Sequence, residues 1–327
     1  MSTAKQRPVR LGVVGLGAFG TLHALTLRRL AEAELVAVVA RRQASLDAFA
    51  AHSPGTHGFL DVDEAMAAVD AEGWIVASST ASHVPLTQKL LAAGSSVLLE
   101  KPMAATASEA RALGPWVAPA SANLMLGHIL LFNSEFRQLL DEVPQLGRLR
   151  YIDAVRHRPE TTLARFPGES PFHLTMTHDL YCVQVLLNGA EPVAMAAQLG
   201  RRGDGRVDLA RASLAWADGT VASLTASFLT PAGMGDDGFD RLEVFGDGWA
   251  ARLQPNPRPI EVFQTKARWP MALEIRADRH GASGMLAEEL RCFCRVVRGV
   301  EPVPKGATYA DALQLAEWLE RLEQAAA

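Results

Sequence analysis

The chain has 327 residues, of which 49% are hydrophobic and 21% charged, a composition typical of folded proteins with room for two hydrophobic cores. Its formal net charge is −4, and the sequence pI is near 6.2. These values exclude the strongly basic surface through which proteins hold nucleic acid or an anionic membrane, and no apolar run is long enough to cross a bilayer. We therefore expect neither nucleic acid nor a membrane as a partner.

Three cysteines are present, Cys182, Cys292 and Cys294, and their spacing contains no C-x-x-C motif. Three thiols cannot all pair within one chain, and this spacing is not typical of a zinc site. The set favours free thiols in a reducing compartment, so we expect a cytoplasmic protein.

The first predicted element is a buried strand from Val9 to Val14, which is followed by three glycines in G-x-G-x-x-G spacing. A helical pattern of leucines begins directly after the glycines. A strand, a glycine turn and a helix in this order place free backbone N–H groups and the positive end of the helix dipole against a pyrophosphate. The motif therefore predicts a dinucleotide site, with a merely structural turn as the alternative. The residues predicted to contact the dinucleotide here are Gly15, Gly17, Ala18, Phe19 and Gly20.

The second predicted strand, Glu34 to Ala40, ends without an acidic residue. In NAD-binding units of this kind, a carboxylate at that place accepts hydrogen bonds from the ribose hydroxyls, and it would repel the additional 2′-phosphate of NADP. Here Ala40 is followed by Arg41 and Arg42, which leaves room for a phosphate and supplies bidentate donors. We therefore expect NADP as the cofactor, with NAD and a solvated arginine pair as the alternative.

Strands and helices continue to alternate as far as a strand predicted at Ala122 to Leu126, and Asp61 and Thr106 are predicted N-caps of two of the helices. Polar side chains follow the strands at the carboxyl edge of the sheet, where ligands of open α/β folds bind. The candidate cofactor-binding residues in these segments are Ser78, Ser79, Thr80, His83, Glu100 and Lys101. For His83, helix capping is the structural alternative. The pattern predicts an α/β Rossmann domain with a doubly wound parallel sheet over residues 1–124.

From about Gly147 the pattern changes to longer predicted strands joined by short connections. The dipeptide Asp218-Gly219 between two of them is typical of a type I′ hairpin turn, and the glycine-rich segment Gly233–Gly238 is predicted to be a lid or a loose hairpin end. We expect residues 125–327 to form an α+β domain for substrate binding and oligomerisation, with a large, mainly antiparallel open sheet. Two amphipathic helices end the chain, and the last is a candidate to pack back on the first domain.

Two further motifs accompany the glycine loop and His23, which stands three residues after it. They are Glu-Lys-Pro at residues 100–102 and a helical segment from Thr175 to Asp179 that contains His178. Together these motifs resemble the Gfo/Idh/MocA oxidoreductase family over nearly the whole chain. The resemblance implies a tightly held nicotinamide cofactor, hydride exchange with a sugar, cyclitol or related polyol, and a homodimer or homotetramer. It also implies that Lys101 and His178 lie near the reacting carbon, and that the peptide between residues 101 and 102 is cis.

The reaction itself requires such residue types. Oxidation of a secondary alcohol removes a proton from oxygen while a hydride leaves carbon, so a base that titrates near neutral pH must contact the hydroxyl. His178 suits this role as general acid or base. Lys101 suits hydrogen bonding to the same oxygen, where it would stabilise the developing negative charge. The structural alternatives are a helix-capping histidine and a surface lysine.

The chain departs from the family pattern beside His178. Relatives commonly carry an acidic residue four positions before the histidine, which is Leu174 here, and many carry an aspartate three positions after it, which is Tyr181. Asp179 and His173 are candidate replacements, although α-helical geometry turns both away from the face of His178. A changed substrate or a loss of catalysis is therefore an open alternative.

Three arginines, Arg156, Arg158 and Arg165, precede His178 in the chain. They either hold a carboxylate or phosphate of the substrate or solvate a strand edge, and both interpretations stay open. His178 and Cys182 have metal-ligand spacing on a helix, but no third ligand is in register, so we expect no metal. The sequence thus predicts an NADP-favouring oxidoreductase, with a catalytically silent dinucleotide- or sugar-binding sensor or partner protein of the same fold as the alternative.

Overall fold

The computed structural model describes residues 7–166, 168–231, 238–257, 260, 262–265, 267–268 and 274–326. The segment Gly233–Gly238 lies outside the described residues except for Gly238. The chain divides into two compact units, the first within Met1–Phe132 and Ile275–Leu313 and the second within Asn133–Glu274 and Gln314–Ala327. A stretch near the C-terminus thus belongs with the N-terminal part of the chain, in addition to residues 1–124.

The first unit contains a six-stranded parallel sheet. Its strands are β1 (Val9–Val14), β2 (Ala33–Val39), β3 (His57–Phe59), β4 (Gly73–Val76), β5 (Ser96–Glu100) and β6 (Leu124–Gly127). They lie in the order β3-β2-β1-β4-β5-β6, and every neighbouring pair is parallel. The order reverses between β1 and β4, which is the switch point where open α/β sheets bind ligands. The predicted doubly wound sheet is confirmed, with the short edge strand β3 as an addition.

Helices connect these strands: α1 (Ala18–Leu27), α2 (Gln43–His52), α3 (Val62–Ala68), α4 (Thr80–Ala92) and α5 (Ala107–Arg111). Both predicted N-caps are present. The Asp61 carboxylate accepts the N–H groups of Asp63 and Glu64, and the Thr106 hydroxyl accepts the N–H of Glu109. Because the first N–H groups of a helix have no partner within it, these side chains fix where α3 and α5 begin.

The second unit contains another six-stranded sheet. Its strands are β7 (Leu149–Pro159), β8 (Ala194–Arg201), β9 (Val207–Ala215), β10 (Val221–Thr230), β11 (Phe239–Gly246) and β12 (Trp249–Leu253). They lie in the order β12-β11-β7-β10-β9-β8. The central β7–β10 pair is parallel, and the other neighbouring pairs are antiparallel. The predicted mainly antiparallel open sheet is confirmed, but the hairpin pattern gave no indication of the parallel pair.

The turn between β9 and β10 differs from the predicted type I′ form, which needs a positive φ at both central residues. Gly219 has a φ of +87°, but Asp218 is not among the residues with positive φ. The Trp216 carbonyl accepts the N–H of Gly219 at 2.9 Å, and the Asp218 carboxylate accepts the N–H of Thr220 at 2.9 Å. The type I′ prediction is therefore wrong, because the Asp218 side chain stabilises a longer turn that ends in a left-handed glycine.

Three helices accompany this sheet: α6 (Ser134–Glu142), α7 (Thr161–Arg165) and α8 (Thr177–Leu186). One turn of π-helix, Phe172–Met176, leads directly into α8. One face of the sheet is buried through side chains such as Ile152 and Leu214. The opposite face carries the rings of Tyr151 and Phe245, which stack with their centroids 5.9 Å apart.

The remaining strands are β13 (Val262–Phe263), β14 (Ala267–Arg268), β15 (Ile275–Asp278) and β16 (Gly281–Gly284), and the last helices are α9 (Met285–Val297) and α10 (Tyr309–Ala326). On α9, Leu286, Leu290 and Phe293 are fully buried, as their spacing predicts. This face packs on α1 and on residues 129–132, which is why residues 275–313 belong to the first unit. No helix in the described part of the chain is both long and apolar enough to cross a bilayer.

Candidate active site

The glycine turn between β1 and α1 is shaped by close backbone contacts. Gly15 has a φ of +101°, and a Cβ atom there would lie 2.5 Å from the Ala77 carbonyl oxygen. A Cβ atom on Gly20 would lie 1.9 Å from the Gly15 carbonyl oxygen, so neither position tolerates a side chain. Gly17, the N-cap of α1, faces open space instead. The free N–H groups of Ala18 and of the residues after it are thus accessible to an anion, which fits a dinucleotide phosphate.

A cleft of about 630 Å³ opens at this turn. At the end of β2, Ala40 is buried, and the exposed Arg41 and Arg42 line the cleft. Asp61 is the one carboxylate among the lining residues, and it is used to cap α3. The charged side chains of the lining are therefore mainly cationic, which suits a phosphate group. Further lining residues include Gly15, Gly17, Ser78, Ser79, Ser82 and Lys89.

The carboxyl end of β4 leads into α4 through Ser78, Ser79 and Thr80. The Ser78 hydroxyl lies 2.8 Å from that of Ser82, in the first turn of the helix. His83 is buried, with Nδ1 2.8 Å from the Pro102 carbonyl oxygen and Nε2 3.2 Å from the Ser78 carbonyl oxygen. Burial lowers the pKa of His83, which keeps the ring neutral at neutral pH. His83 therefore does not cap α4 but joins it to the Glu-Lys-Pro segment.

The Glu-Lys-Pro segment begins at Glu100, the last residue of β5. Its Lys101–Pro102 peptide is cis, as the resemblance implies. Glu100 is 6% exposed, and its Oε1 lies 2.8 Å from Nε2 of His23 on α1. Glu100 Oε2 accepts the backbone N–H of Lys101 at 3.2 Å. Phe19, at the start of α1, packs edge-on against the His23 ring, with centroids 5.2 Å apart. One buried hydrogen bond, between His23 and Glu100, thus joins α1 to the Glu-Lys-Pro segment.

In the second unit, His178 is the second residue of α8 and is half-buried. Its Nδ1 lies 2.8 Å from the hydroxyl oxygen of the fully buried Tyr181. The Tyr181 hydroxyl therefore holds one nitrogen of the imidazole ring. A histidine held in this way is suited to proton transfer.

Two family models cover most of the chain. The oxidoreductase family with an NAD-binding Rossmann fold, GFO_IDH_MocA, matches residues 9–128, and the GFO/IDH/MocA C-terminal domain matches residues 125–251. The chain belongs to the Gfo/Idh/MocA oxidoreductase family. The resemblance stated from the motifs is thereby confirmed.

Known members of the Gfo/Idh/MocA family share moderate identity with this chain. An inositol 2-dehydrogenase of Rhizobium meliloti (strain 1021) is 28% identical over 94% of this chain and 95% of its own length. A UDP-N-acetylglucosamine 3-dehydrogenase of Acidithiobacillus ferrooxidans is 31% identical over 67% of each protein. A crystal structure of scyllo-inositol dehydrogenase from Lactobacillus casei has a TM-score of 0.81 at 21% identity, covering 98% of this chain and 97% of that one, which shows a shared fold.

Two of the three arginines that precede the family histidine, Arg156 and Arg158, bind carboxylates of the protein itself. Arg156 is 2% exposed and donates to both carboxylate oxygens of Asp179, at 2.8 and 3.2 Å. It also donates to Asp240 at 2.9 Å, and Arg158 donates to the same aspartate. Burial alone would raise the pKa of Asp240, but the two arginines lower it. Both interpretations of Arg156, as a ligand of a substrate carboxylate or phosphate and as a residue that solvates a strand edge, are therefore wrong, because its guanidinium is buried in an ion-pair network with Asp179 and Asp240.

The other predicted residues near His178 have different environments. Asp179 points into the arginine network, away from His178, as its position on a helix predicts. His173 lies in the π-helical turn, with Nε2 2.8 Å from a carboxylate oxygen of Glu323. Burial alone would lower the pKa of His173, but the hydrogen bond and charge of Glu323 raise it. Leu174 is half-buried, and Arg165 is exposed at the end of α7.

Cys182, one turn after His178, is a buried free thiol whose pKa burial raises well above the usual range. A protonated thiol in this setting is a poor metal ligand or nucleophile. One site feature escaped the sequence reasoning altogether: Glu289 on α9 lies beside His23 and Glu100. Its position on the apolar face of an amphipathic helix is the only signal in the sequence that singles it out.

Proposed function

We propose that this protein is a dehydrogenase that transfers a hydride between a nicotinamide cofactor, preferably NADP, and a CH–OH group of a cyclitol, sugar or related polyol. The observation that carries the proposal is the cleft of the first unit, which is lined by the glycine turn and by Arg41 and Arg42. Lys101 directly follows β5, which lies two strands from β1 in the sheet. Relatives named inositol 2-dehydrogenase and UDP-N-acetylglucosamine 3-dehydrogenase support the substrate class.

The preference for NADP is argued from the end of β2. A carboxylate there would bind the ribose hydroxyls of NAD and repel a 2′-phosphate, but the residue is Ala40. Arg41 and Arg42 are exposed and line the cleft, so they are available to a phosphate with little desolvation. NAD is the alternative, and it requires the two arginines to be solvent-facing only.

The nicotinamide ring supplies the hydride acceptor or donor when it is bound. During oxidation, His178 would remove the proton from the substrate hydroxyl through Nε2. Its Nδ1 would then donate to the Tyr181 oxygen, which lies 2.8 Å away. In the direction of reduction, the imidazolium would return this proton. The Lys101 ammonium would donate a hydrogen bond to the same substrate oxygen and stabilise its partial negative charge.

The second candidate is a catalytically silent protein that binds a dinucleotide or a sugar. It is favoured by Leu174, an apolar side chain where relatives carry an acid, and by Asp179, whose carboxylate is occupied by Arg156. Neither Leu174 nor Asp179 can therefore assist His178 in proton transfer. Tyr181 argues for catalysis instead, because its hydroxyl still orients the imidazole.

The experiment that tests the proposal is a fluorescence titration with NADPH and NADH, followed by a panel of inositol isomers, free sugars and UDP-sugars with the preferred cofactor. We expect turnover of at least one compound, and loss of turnover but not of cofactor binding in Lys101→Met and His178→Gln. Lys305→Met and His52→Gln are matched controls, because both side chains are exposed. Reduction of bound cofactor by no compound in the panel would favour the silent protein. Full activity in either site variant would exclude that residue from catalysis.

We also propose that the protein is a cytoplasmic homodimer or homotetramer. All three cysteines are free, which agrees with a reducing compartment. The exposed face of the second sheet carries the stacked rings of Tyr151 and Phe245, an apolar surface typical of a subunit contact. Light scattering at several concentrations would measure the mass, and a monomer at all of them would contradict the assembly.

A further inference from the structure

Three titratable side chains from distant parts of the chain meet in the interior of the first unit. His23 lies on α1, Glu100 at the end of β5 and Glu289 on α9, and all three are buried. One ligand-type atom of each lies within 4.8 Å of the others. The His23–Glu100 contact is a hydrogen bond of 2.8 Å, but neither carboxylate oxygen of Glu289 has a hydrogen-bond partner among the described residues.

The two carboxylates differ in their surroundings. An ionised carboxylate without a partner is strongly unfavourable in a protein interior. Burial, and then the nearby charge of Glu100, raise the pKa of Glu289 well above its usual range. Glu100, in contrast, has His23 on one oxygen and the backbone N–H of Lys101 on the other. Glu100 therefore has a hydrogen-bond partner on each oxygen, whereas Glu289 has none among the described residues.

The other groups around Glu289 do not compensate a second charge. Residues 129–132, which pack against α9, are all apolar, and β16 contains no titratable residue. His128 is buried and donates to the Gly306 carbonyl oxygen, and burial lowers its pKa to about 4, so it is neutral at neutral pH. Burial raises the pKa of Cys292, which keeps that thiol protonated. Asp278 on β15 pairs with Arg276 at the surface.

We propose that Glu289 is a positioning residue that holds a proton in the folded protein and directs it toward the Glu100 carboxylate. A separation of at most 4.8 Å is spanned by one bridging water or closed by a small side-chain movement. Glu100 then stays in contact with His23 and with the backbone of Lys101. Ionisation of Glu289 would place two negative charges side by side and loosen this arrangement. The proposal rests on the proposed role of Lys101, but the proton itself is measured without turnover.

The first test compares Glu289→Gln with wild type in thermal unfolding from pH 5 to pH 8. Because the folded chain retains a proton that the unfolded chain releases above about pH 4.3, the contribution of Glu289 to the stability of wild type falls as the pH rises. Glutamine cannot ionise, so we expect its melting temperature to rise relative to wild type by about 3 °C per pH unit. Glu288→Gln is the matched control, since it makes the same change in a side chain that is 39% exposed, and its difference from wild type should not vary with pH. A pH-independent loss of stability in Glu289→Gln would overturn the proposal.

The second test uses the infrared spectrum of wild type at pH 7, which is decisive even where the variant fails to fold. We expect the carbonyl stretch of a protonated carboxylic acid, which shifts in D2O, to be present in wild type and Glu288→Gln. Its absence from wild type would refute the proposal. One equivalent of a bound divalent metal per chain, measured by mass spectrometry of the intact folded protein, would refute it as well, because a cation would then replace the proton.

The third test separates positioning from stability. Glutamine still donates a hydrogen bond, so kcat of Glu289→Gln should stay within about threefold of wild type. If the proposal holds, the kcat of wild type should also decline at alkaline pH, and the glutamine variant should lack this decline. Glu289→Leu fills the space without a donor, and we expect its kcat to fall at least tenfold at unchanged affinity for NADPH. Equal kcat values in the glutamine and leucine variants would contradict the positioning role, even where the infrared band is present.

Discussion

The arginine pair at the end of β2 offers the sharpest test of the cofactor proposal. In the double variant Arg41→Ala/Arg42→Ala, both guanidinium groups that line the cleft beside the buried Ala40 are removed. Neither side chain makes a hydrogen bond or an ion pair within the described part of the chain. The substitution should therefore leave the fold intact and act on the bound 2′-phosphate alone.

The expected loss of NADPH affinity follows from the exposure of both arginine side chains. A phosphate monoester carries a charge of about −1.5 to −2 at pH 7. A unit charge pair at 4 Å is worth about 1 kcal/mol in water and about 4 kcal/mol in the partly desolvated setting of a protein surface. Exposed ion pairs lie near the lower value. We take about 1 kcal/mol for each arginine, so the double variant should lose about 2 kcal/mol, or about 30-fold in NADPH affinity.

The assay is a pair of fluorescence titrations, with NADPH and with NADH, at two salt concentrations. Affinity for NADPH should fall about 30-fold and become less sensitive to salt, because exposed charge pairs are screened. Affinity for NADH should change less than threefold, since it has no 2′-phosphate. Arg29→Ala is the control, because this exposed arginine is not among the residues that line the cleft.

An equal loss of affinity for NADPH and NADH would refute the reasoning, because it would mean that the arginines contact a group that both cofactors share. An unchanged affinity for both would show that the pair is only solvated. In either case the arginine pair would no longer support a preference for NADP, while the glycine turn remains the proposed dinucleotide site.

Three further predictions concern the two units separately. Tyr181→Phe should lower kcat about tenfold without changing the Kd for NADPH, because it removes the hydroxyl that holds Nδ1 of His178. The pKa of His128 is about 4 in the folded protein against about 6.5 when unfolded, so the unfolded chain binds the additional proton and the free energy of unfolding falls by about 3 kcal/mol as the pH drops from 6.5 to 4. His128→Gln should remove that part of the slope in urea unfolding curves. Arg156→Met should cost about 3 to 5 kcal/mol in the same measurement, because it leaves Asp179 buried without its partner.

The parts of the fold that the sequence predicts well are those with local causes. The glycine turn between β1 and α1 is encoded within six residues, because Gly15 and Gly20 each avoid a backbone clash that any Cβ atom would create. The caps at Asp61 and Thr106 act within three residues of their own positions. Sequence patterns over such short distances report the geometry directly.

The parts that the sequence does not predict depend on pairings between distant residues. Arg156 joins Asp179, 23 residues away, and Asp240, 84 residues away, and nothing in the pattern of β7 distinguishes these partners from solvent. The parallel β7–β10 pair and the docking of α9 on α1 are of the same kind. The burial of a charged side chain can be recognised only when both partners of its ion pair have been located in the structure.

The π-helical turn before α8 explains why α-helical spacing does not predict the positions of the candidate residues near His178. The spacing arguments for His173 and Leu174 assume an α-helix, but Phe172–Met176 follows the i to i+5 pattern of a π-helix. This change of register alters which positions share a face with His178, and the His173 ring contacts Glu323 instead. Asp179 is held by Arg156, and the Tyr181 hydroxyl is a polar group in contact with the imidazole. A neutral hydroxyl stabilises an imidazolium less than a carboxylate does. In the proposed mechanism, the departure from the family pattern replaces a charged partner of His178 with a neutral one and keeps a hydrogen bond at Nδ1.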